Sequence, residues 1–267
     1  MSATLFCAGL GDVIRVCYQN AGYRALSETT QPVPVIVASH NPFSIEIFRH
    51  HRNAKNFILY DLAHKYEEFL NAGLRGPDIN RALCDFSGVD YAQLVRGSAN
   101  GHVPVFDAPD DIASVGHIVF QPFAGNASHR SLPPDLIEKT VQVLRQLPCQ
   151  VFVVTRSYVR PDLKGKTIHA VEDARALEGG NIKVLDSLTV PATLNLIKSS
   201  RAYVGSWSSL QQAAWLENKP VAVFYPEKHH DATRPTPYAF GMNRDNTLGR
   251  EYPDAHAAEL SEFLQRW

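Results

Sequence analysis

The sequence predicts an α/β protein in which helices cover parallel β-sheets. Apolar runs typical of strands alternate with longer amphipathic stretches typical of helices. Several of these runs are short and continuously apolar, which favours parallel strands buried on both faces. Polar residues also cluster directly after many of the runs, above all in the second half. Because ligands of open α/β sheets bind beyond the carboxyl ends of the strands, this pattern predicts a binding site at that edge.

Eight apolar runs predict the strands. β-branched and aromatic residues dominate them, and most are followed by a polar residue or a glycine. They are Thr4–Ala8, Val33–Ala38, Phe57–Tyr60, His117–Gln121, Val151–Thr155, Lys183–Leu185, Ala202–Val204 and Val221–Phe224.

Seven stretches between and after the strands predict helices. Pro133 and Pro134 mark one helix start, because proline suits a first helical turn, and Asn218 is a plausible end for another. The helices are Asp12–Asn20, Pro42–His50, Lys65–Ala72, Pro134–Leu147, Val190–Ser199, Ser208–Glu217 and His256–Arg266.

A polar connection, Arg96–Gly116, divides the chain. It contains Pro104 and Pro109 and several aspartates, and we place a domain boundary near Asp110. The prediction is two Rossmann-like domains, residues 1–110 and 111–267, that face each other across a cleft. We also expect the final helix to pack back on the first half.

Composition narrows the functional classes. The chain has 267 residues, of which 45% are hydrophobic and 20% charged, which is typical of a globular protein. The formal net charge is −1 and no basic stripe is present, so we expect no stable nucleic acid partner. No apolar run reaches about 18 residues, so we expect no transmembrane segment. Four cysteines without CxxC spacing predict reduced thiols, no zinc and a cytoplasmic location.

The segment from Tyr203 to Pro226 is the most informative. It predicts a buried strand, a tight polar turn at Gly205, a helix and a second buried strand. Ser206, Ser208 and Ser209 stand where the helix should begin. A helix N-terminus has unpaired N–H groups and partial positive charge, so the turn could hold a phosphate. A helix capped by serine, with no ligand, explains the same residues.

Other polar loops follow further strand ends. The loop Gln121–Pro134 contains Ser128 and Arg130, and Arg130 could pair with a phosphate. Further polar groups stand at Thr155 and Arg156, at Ser187, and at Glu227 and Arg234. Each loop taken alone is also explained by a solvated surface.

The first strand ends in Gly9-Leu10-Gly11-Asp12, where two glycines permit a tight turn. Ile14 stands where the third glycine of a dinucleotide fingerprint should fall, so that fingerprint is poorly supported. Asp12 would sit at a helix N-terminus, where aspartate is a common cap.

These motifs together resemble those of the heptosyltransferase-type glycosyltransferases of family 9, which have the two-domain GT-B fold. The resemblance covers Ile118–Tyr238 best, with an anchor at Gly11-Asp12-Val13-Ile14. Its segments are Gln121–Phe123 with Arg130–Pro133, Ser187–Pro191, Val204–Ala214, Lys219–Glu227 and Arg234–Tyr238. The sequence departs from the family where Trp207 replaces an aspartate, Ser209 a glycine, Gln212 and Gln121 histidines, and Arg130 a lysine.

The resemblance implies transfer of a sugar from a nucleotide diphosphate sugar to an acceptor hydroxyl, with inversion and without a metal or other cofactor. Asp12 would be the general base and Arg130 would neutralise the leaving phosphate. Residues expected on the donor side are Gly11, Gln121, Ser128, Thr155, Arg156, Ser187, Ser206, Ser208, Ser209, Gln212, Glu227 and Arg234. ADP, UDP and GDP sugars all stay open as donors.

The acceptor would be a saccharide or another molecule with a hydroxyl, reached at the inner face of a membrane by a peripheral enzyme. Arg49 and Arg52 belong to a basic cluster in the first half and are the candidate acceptor-binding residues, although a solvated helix end explains them too. The alternative function is a catalytically inactive GT-B protein that binds a nucleotide or a glycan. Trp207 and Gln212 motivate that alternative.

Overall fold

The computed structural model of the chain describes residues 4–7, 11, 14, 32–38, 44–49, 54–95, 116–124, 131–155, 158–159, 167–168, 171–225, 246–251 and 257–267. The chain divides into two compact units. The first comprises Met1–Asp107 and Arg160–Lys166, and the second comprises Ala108–Val159 and Thr167–Trp267. The division after Asp107 lies close to the boundary that the sequence predicts at Asp110, whereas Arg160–Lys166 groups with the first unit and not with the second.

The first unit contains a parallel four-stranded sheet in the order β3-β2-β1-β4. Ile36 of this sheet and Ala38, directly after β2, share a core with Ile79, Leu83 and Cys84. The elements are β1 (Thr4–Cys7), β2 (Val33–Val37), α1 (Ser44–Arg49), β3 (Phe57–Asp61), α2 (Ala63–Asn71), α3 (Pro77–Ser87) and β4 (Leu94–Val95), with short 3₁₀ turns at Ala54–Asn56 and Tyr91–Gln93.

The second unit contains a parallel six-stranded sheet in the order β12-β11-β10-β5-β6-β9. A separate antiparallel pair joins β7 and β8. The elements are β5 (Ile118–Gln121), α4 (Pro134–Arg145), β6 (Val151–Val154), β7 (Tyr158–Val159), β8 (Thr167–Ile168), α5 (Val171–Arg175), β9 (Ile182–Leu185), α6 (Val190–Ser199), β10 (Ala202–Ser206), α7 (Ser209–Leu216), β11 (Val221–Tyr225), β12 (Thr247–Glu251) and α8 (Ala257–Gln265).

Helices cover both faces of this second sheet. Alternate strand residues such as Phe120, Val204 and Phe224 share a core with the apolar residues of α4 and α8. The intervening residues of β10, Tyr203 and Gly205, therefore face the opposite side, where α7 contacts β10 and β11 and packs beside α6. Both faces are buried, which explains the continuous apolar runs in the sequence.

The C-terminal helix α8 packs within the second unit. Leu260, Phe263 and Leu264 join the core under α4, and Arg201 Nη2 donates a hydrogen bond to the carbonyl oxygen of Leu264 at 3.4 Å. The expectation that this helix also packs on the first half stays a prediction. The apolar spacing of α8 predicts that one face is buried but does not identify the partner.

All eight predicted strands are confirmed, with ends that differ by one or two residues. The sequence did not predict α3, α5, β4, β7, β8 or β12. The strand β12 has the sequence TLGRE and lies at the edge of its sheet with one neighbour, so it needs no continuous apolar run. Of the predicted helix Asp12–Asn20, the structure describes Ile14, which is helical and fully buried.

Gly205 marks a close approach of two central strands. It lies directly opposite Gln121 in the β10–β5 ladder. A Cβ atom on Gly205 would lie 2.4 Å from the carbonyl oxygen of Gln121 and 3.1 Å from its nitrogen. Both are backbone atoms of a buried strand, so they cannot move aside as the end of a flexible side chain could.

We therefore predict that Gly205→Ala lowers the free energy of unfolding by about 1–3 kcal/mol, the usual cost of overpacking. Gly249→Ala is the matched control, because its Cβ would meet the Tyr225 ring at 3.7 Å, an ordinary contact. The measurement is urea denaturation of the wild type and both variants. Equal stability of the two variants would contradict the close approach.

Candidate functional site

Polar residues collect at one edge of the six-stranded sheet. Gln121 ends β5, Thr155 follows β6, Ser187 follows β9 and Ser206 ends β10. Because these strands are parallel, their carboxyl ends share one edge, as the sequence predicts. Thr155 and Ser206 are buried, whereas Ser187 is exposed.

Gln121 forms a compact hydrogen-bond network with Tyr203 and Ser208, which we call the Gln121–Tyr203–Ser208 network. Gln121 Oε1 accepts hydrogen bonds from the Tyr203 hydroxyl at 2.6 Å and from Ser208 Oγ at 2.5 Å. The two hydroxyl oxygens lie 3.2 Å apart. Gln121 Nε2 donates to the carbonyl oxygen of Phe123 at 3.0 Å. The network thus joins the ends of β5 and β10 to the start of α7.

Ser208 caps helix α7. Its backbone is extended, with φ −150° and ψ 176°, and its Oγ accepts a hydrogen bond from the backbone N–H of Gln211. The first N–H groups of a helix have no partner within the helix, and the aligned peptide dipoles add partial positive charge there. The start of α7 can therefore attract an anion, and the phosphate site at this serine-rich turn stays a prediction.

Buried polar atoms without a partner surround this turn. Among the described residues they include Ser206 Oγ, both amide atoms of Gln211 and Gln212 Oε1. Ser206 and Gln211 are fully buried. More than about nine in ten buried polar groups in proteins find a partner, and each that does not costs about 1–3 kcal/mol. These atoms are unusual for a purely structural core and are typical of a site that holds a polar ligand.

The pleat of β10 places these groups on different faces. Ser206 shares the α4 and α8 face with Val204, whereas Tyr203 points to the α7 face, where its hydroxyl meets Ser208. The side chain of Gln211 lies in the first turn of α7, and helical side chains lean towards the N-terminus. The polar groups therefore approach the end of β10 from both sides of the sheet.

The phenol of Tyr203 is fully buried. Burial raises its pKa well above the ordinary value, and the adjacent Ser208 hydroxyl lowers it by less. The hydroxyl thus stays protonated and remains a hydrogen-bond donor to Gln121 over the whole neutral range.

The predicted site residues fall into two groups. The described ones are Gly11, which is helical and half-buried, exposed Arg49, exposed Ser187, and Gln121, Thr155, Ser206, Ser208, Ser209 and Gln212. Seven of these, all except Gly11 and Arg49, belong to the sheet edge of the second unit or to the start of α7. Asp12, Arg52, Ser128, Arg130, Arg156, Glu227 and Arg234 lie outside the described residues.

Tyr203 and Gln211 belong to the candidate site but are not predicted from the sequence. Tyr203 stands in a strand between Ala202 and Val204 and fits an apolar core, so its hydroxyl gave no signal. The sequence contains one cue to the position of this side chain. Tyr203 stands two residues before Gly205 in the same strand, so the two residues lie on the same face of the sheet. Gln211 stands in a helical stretch where a solvated glutamine is ordinary, so its burial could not be predicted.

The described ranges contain neither a cluster of metal ligands nor a membrane-spanning helix. No group of three or more His, Cys, Asp or Glu side chains in the described ranges could hold a metal ion. No helix in those ranges is long and apolar enough to cross a membrane.

Solved glycosyltransferases have a similar structure. E. coli ADP-heptose LPS heptosyltransferase II matches with a TM-score of 0.63 and 12% identity, over 100% of this chain and 98% of that chain. The E. coli heptosyltransferase WaaC, solved with ADP-2-deoxy-2-fluoro heptose, matches with a TM-score of 0.59 and 11% identity, over 100% and 99%. The family 9 glycosyltransferase from Veillonella parvula matches with a TM-score of 0.57 and 9% identity, over 99% and 89%.

These likenesses identify the fold. The chain has the α/β GT-B fold of the family 9 glycosyltransferases, and the resemblance carried by its sequence motifs is confirmed at that level. No protein-family model matches the chain, and no curated protein sequence matches it significantly.

The buried phenol gives a pH-dependent prediction. In the unfolded chain a tyrosine ionises at about pH 10, whereas folded Tyr203 keeps its proton to higher pH because burial raises its pKa. The folded state binds this proton more tightly, so the stabilisation is fully present below the unfolded pKa and is lost as the pH rises above it. We expect this contribution to the free energy of unfolding to fall by up to about 1.4 kcal/mol per pH unit in that window.

The measurement is urea denaturation of the wild type and Tyr203→Phe at about pH 9 and about pH 11. The other tyrosines are common to both proteins, so their titration cancels in the difference. We expect the stability of the wild type relative to Tyr203→Phe to fall between the two pH values. A constant difference would show that the phenol is not held in its neutral form.

Proposed function

We propose that this protein transfers a sugar from a nucleotide diphosphate sugar to an acceptor hydroxyl. The observation that carries the proposal is the cluster of buried polar groups at the start of α7, on the carboxyl edge of a parallel sheet. A helix N-terminus and donor side chains suit a diphosphate. The likeness to heptosyltransferases over the whole chain supports the same function.

In the proposed reaction, the acceptor oxygen attacks the anomeric carbon as the bond from that carbon to the diphosphate breaks. The configuration at the anomeric carbon inverts. Asp12 accepts the proton of the acceptor hydroxyl, and the nucleoside diphosphate leaves with the bonding electron pair. A general base that takes this proton in the transition state contributes typically 10²–10⁴-fold to the rate.

The leaving diphosphate gains negative charge, which the second unit would stabilise. The start of α7 supplies backbone N–H groups and a positive dipole end, and Arg130 supplies a full positive charge. We propose that these groups do the work that a divalent cation does in other transferases. Ser128, Arg156, Glu227 and Arg234 remain proposed donor-side residues from the sequence motifs.

The donor nucleotide is a further part of the proposal. WaaC is solved with an ADP sugar analogue, and ADP sugars are therefore the first donors to test, with UDP and GDP sugars as the other candidates. We propose a saccharide acceptor with anionic groups. Arg49 is exposed at the end of α1, so its guanidinium can reach such a ligand, and Arg52 would add a second charge.

A second candidate function is nucleotide or glycan binding without catalysis. The observation that favours it is the pair Trp207 and Gln212, which stand where the family 9 motif has an acid and a histidine. Slow hydrolysis of a sugar nucleotide without acceptor would support catalysis. Tight nucleotide binding with neither hydrolysis nor transfer would support the binding function.

A nucleotide screen tests the proposed function. We expect at least one of ADP, UDP and GDP to raise the melting temperature, because a ligand that binds the folded state stabilises it by mass action. The corresponding nucleosides are the control, because they lack the diphosphate that the α7 site would bind. The absence of a shift with every nucleotide diphosphate would contradict the proposal.

Two sets of variants separate the proposed base from the proposed acceptor site. Asp12→Asn keeps the shape of the side chain but removes its basicity, so turnover should fall roughly 10²–10⁴-fold while donor affinity is kept. Arg49→Ala with Arg52→Ala should raise the acceptor KM and keep donor affinity. The measurement is steady-state kinetics with both substrates varied. Unchanged turnover in Asp12→Asn would show that Asp12 is a helix cap.

A further inference from the structure

We propose that the Gln121–Tyr203–Ser208 network fixes the direction of the hydrogen bonds that Gln121 makes beside the start of α7, so that Gln121 offers a ligand only a donor and Ser208 serves as a positioning residue. Tyr203, which a ligand cannot reach because it is fully buried, is then a second positioning residue. The identity of the ligand as a nucleoside diphosphate rests on the proposed function, whereas the hydrogen-bond directions rest on the geometry alone.

The hydrogens in the network can be assigned. The carbonyl oxygen of Phe123 can only accept, so the Gln121 atom 3.0 Å from it must be the amide nitrogen. The other amide atom is therefore the oxygen, which has no hydrogen. Both hydroxyls lie within 2.6 Å of that oxygen, so Tyr203 and Ser208 must each donate to it.

In this assignment, the hydroxyl hydrogens of Tyr203 and Ser208 are both used in bonds to Gln121. Each hydroxyl has one hydrogen, and both point to Gln121 Oε1, whose two lone pairs are then occupied. No hydrogen remains for the 3.2 Å contact between the Tyr203 and Ser208 oxygens. Ser208 Oγ also accepts from the Gln211 N–H, so it cannot donate to a phosphate without breaking its bond to Gln121. The expectation that Ser208 binds the donor directly is thereby replaced by a role in positioning.

The same assignment leaves one donor on Gln121. Its Nε2 has two hydrogens, and among the described residues Phe123 accepts one of them. The other hydrogen is available to a ligand, next to the N–H groups at the start of α7. The amide cannot flip to offer its oxygen to a ligand. A flip would place Nε2 beside the Tyr203 and Ser208 hydroxyls and would place Oε1 beside the carbonyl oxygen of Phe123, where two acceptors would meet.

The remaining N–H of Gln121 selects its ligand by chemistry. Phosphate oxygens at neutral pH only accept hydrogen bonds, so they satisfy the Gln121 N–H and the backbone N–H groups. The ligand class that fits is therefore an ionised phosphate, which offers only acceptors to these N–H groups and carries the negative charge that the helix dipole favours.

The experiment is a double-mutant cycle on ligand affinity, measured by isothermal titration calorimetry with ADP, UDP, GDP and inorganic pyrophosphate. The variants are Tyr203→Phe, Ser208→Ala and both together. Tyr91→Phe is the matched control, because it loses a phenolic hydroxyl outside the network. The melting temperature of each variant is measured in parallel, so that all titrations are made on folded protein.

We expect Tyr203→Phe to weaken binding about three- to tenfold, the equivalent of about one hydrogen bond, although Tyr203 never touches the ligand. Ser208→Ala should weaken ligand binding by a smaller factor in the Tyr203→Phe protein than in the wild type, because both changes disorder the side-chain amide of Gln121. Ser208→Thr keeps the hydroxyl and should restore most of the affinity that Ser208→Ala loses. Gln121→Glu should abolish binding, since a carboxylate accepts from both hydroxyls but offers the ligand no donor.

Several outcomes would overturn the inference. Affinity in Tyr203→Phe equal to that in Tyr91→Phe would show that the network does not position the donor, and additive effects in the cycle would show that Ser208 donates directly. If pyrophosphate binds with the expected pattern but no nucleotide does, the inference stands and the proposed function fails. If nucleotides bind and Tyr203→Phe has no effect, the proposed function stands and the inference fails. If the wild type binds neither, both fail.

Discussion

The close approach of β5 and β10 is the constraint on which the rest of the site depends. A side chain at position 205 would collide with the backbone of Gln121, so the two strands can pair at this distance only with glycine. That pairing brings the Gln121 side chain onto the face where Tyr203 lies. It also ends β10 next to the start of α7, where Ser208 closes the network. One missing Cβ thus permits a chain of contacts that links two strands and a helix.

The fold was largely predictable because its main signal is physical and local. A parallel strand buried on both faces must be apolar throughout, and runs such as Ile118–Phe120 and Val151–Val154 follow that rule. Edge elements escape the rule, which is why β12 was missed. The partner of α8 was also beyond reach, since the apolar face made by Leu260, Phe263 and Leu264 fits any apolar surface of similar shape.

The candidate site was predictable in its position but not in its chemistry. Strand ends are marked in the sequence by polar residues, so the edge that holds Gln121 and Ser206 could be named. The direction of a hydrogen bond depends instead on contacts between residues far apart in the chain. Gln121 and Ser208 are 87 positions apart, and Tyr203 carries no polar signal among its neighbours. Sequence spacing cannot show that two hydroxyls share one amide oxygen.

The absence of charge from the described part of the site has a consequence for how an anion would be held. From Ser206 to Gln212 the turn contains only serine, glutamine, tryptophan and leucine, whereas the family 9 motif has an acid at position 207. An acid at the start of a helix would stabilise the dipole but would repel a phosphate. With tryptophan there, the positive end of the dipole is left for the ligand. Within this turn, recognition would then depend on fixed donor directions, because an uncharged amide binds a phosphate well only if its N–H is already oriented. In our proposal, the buried Tyr203 hydroxyl supplies that orientation in the folded chain, before any ligand arrives.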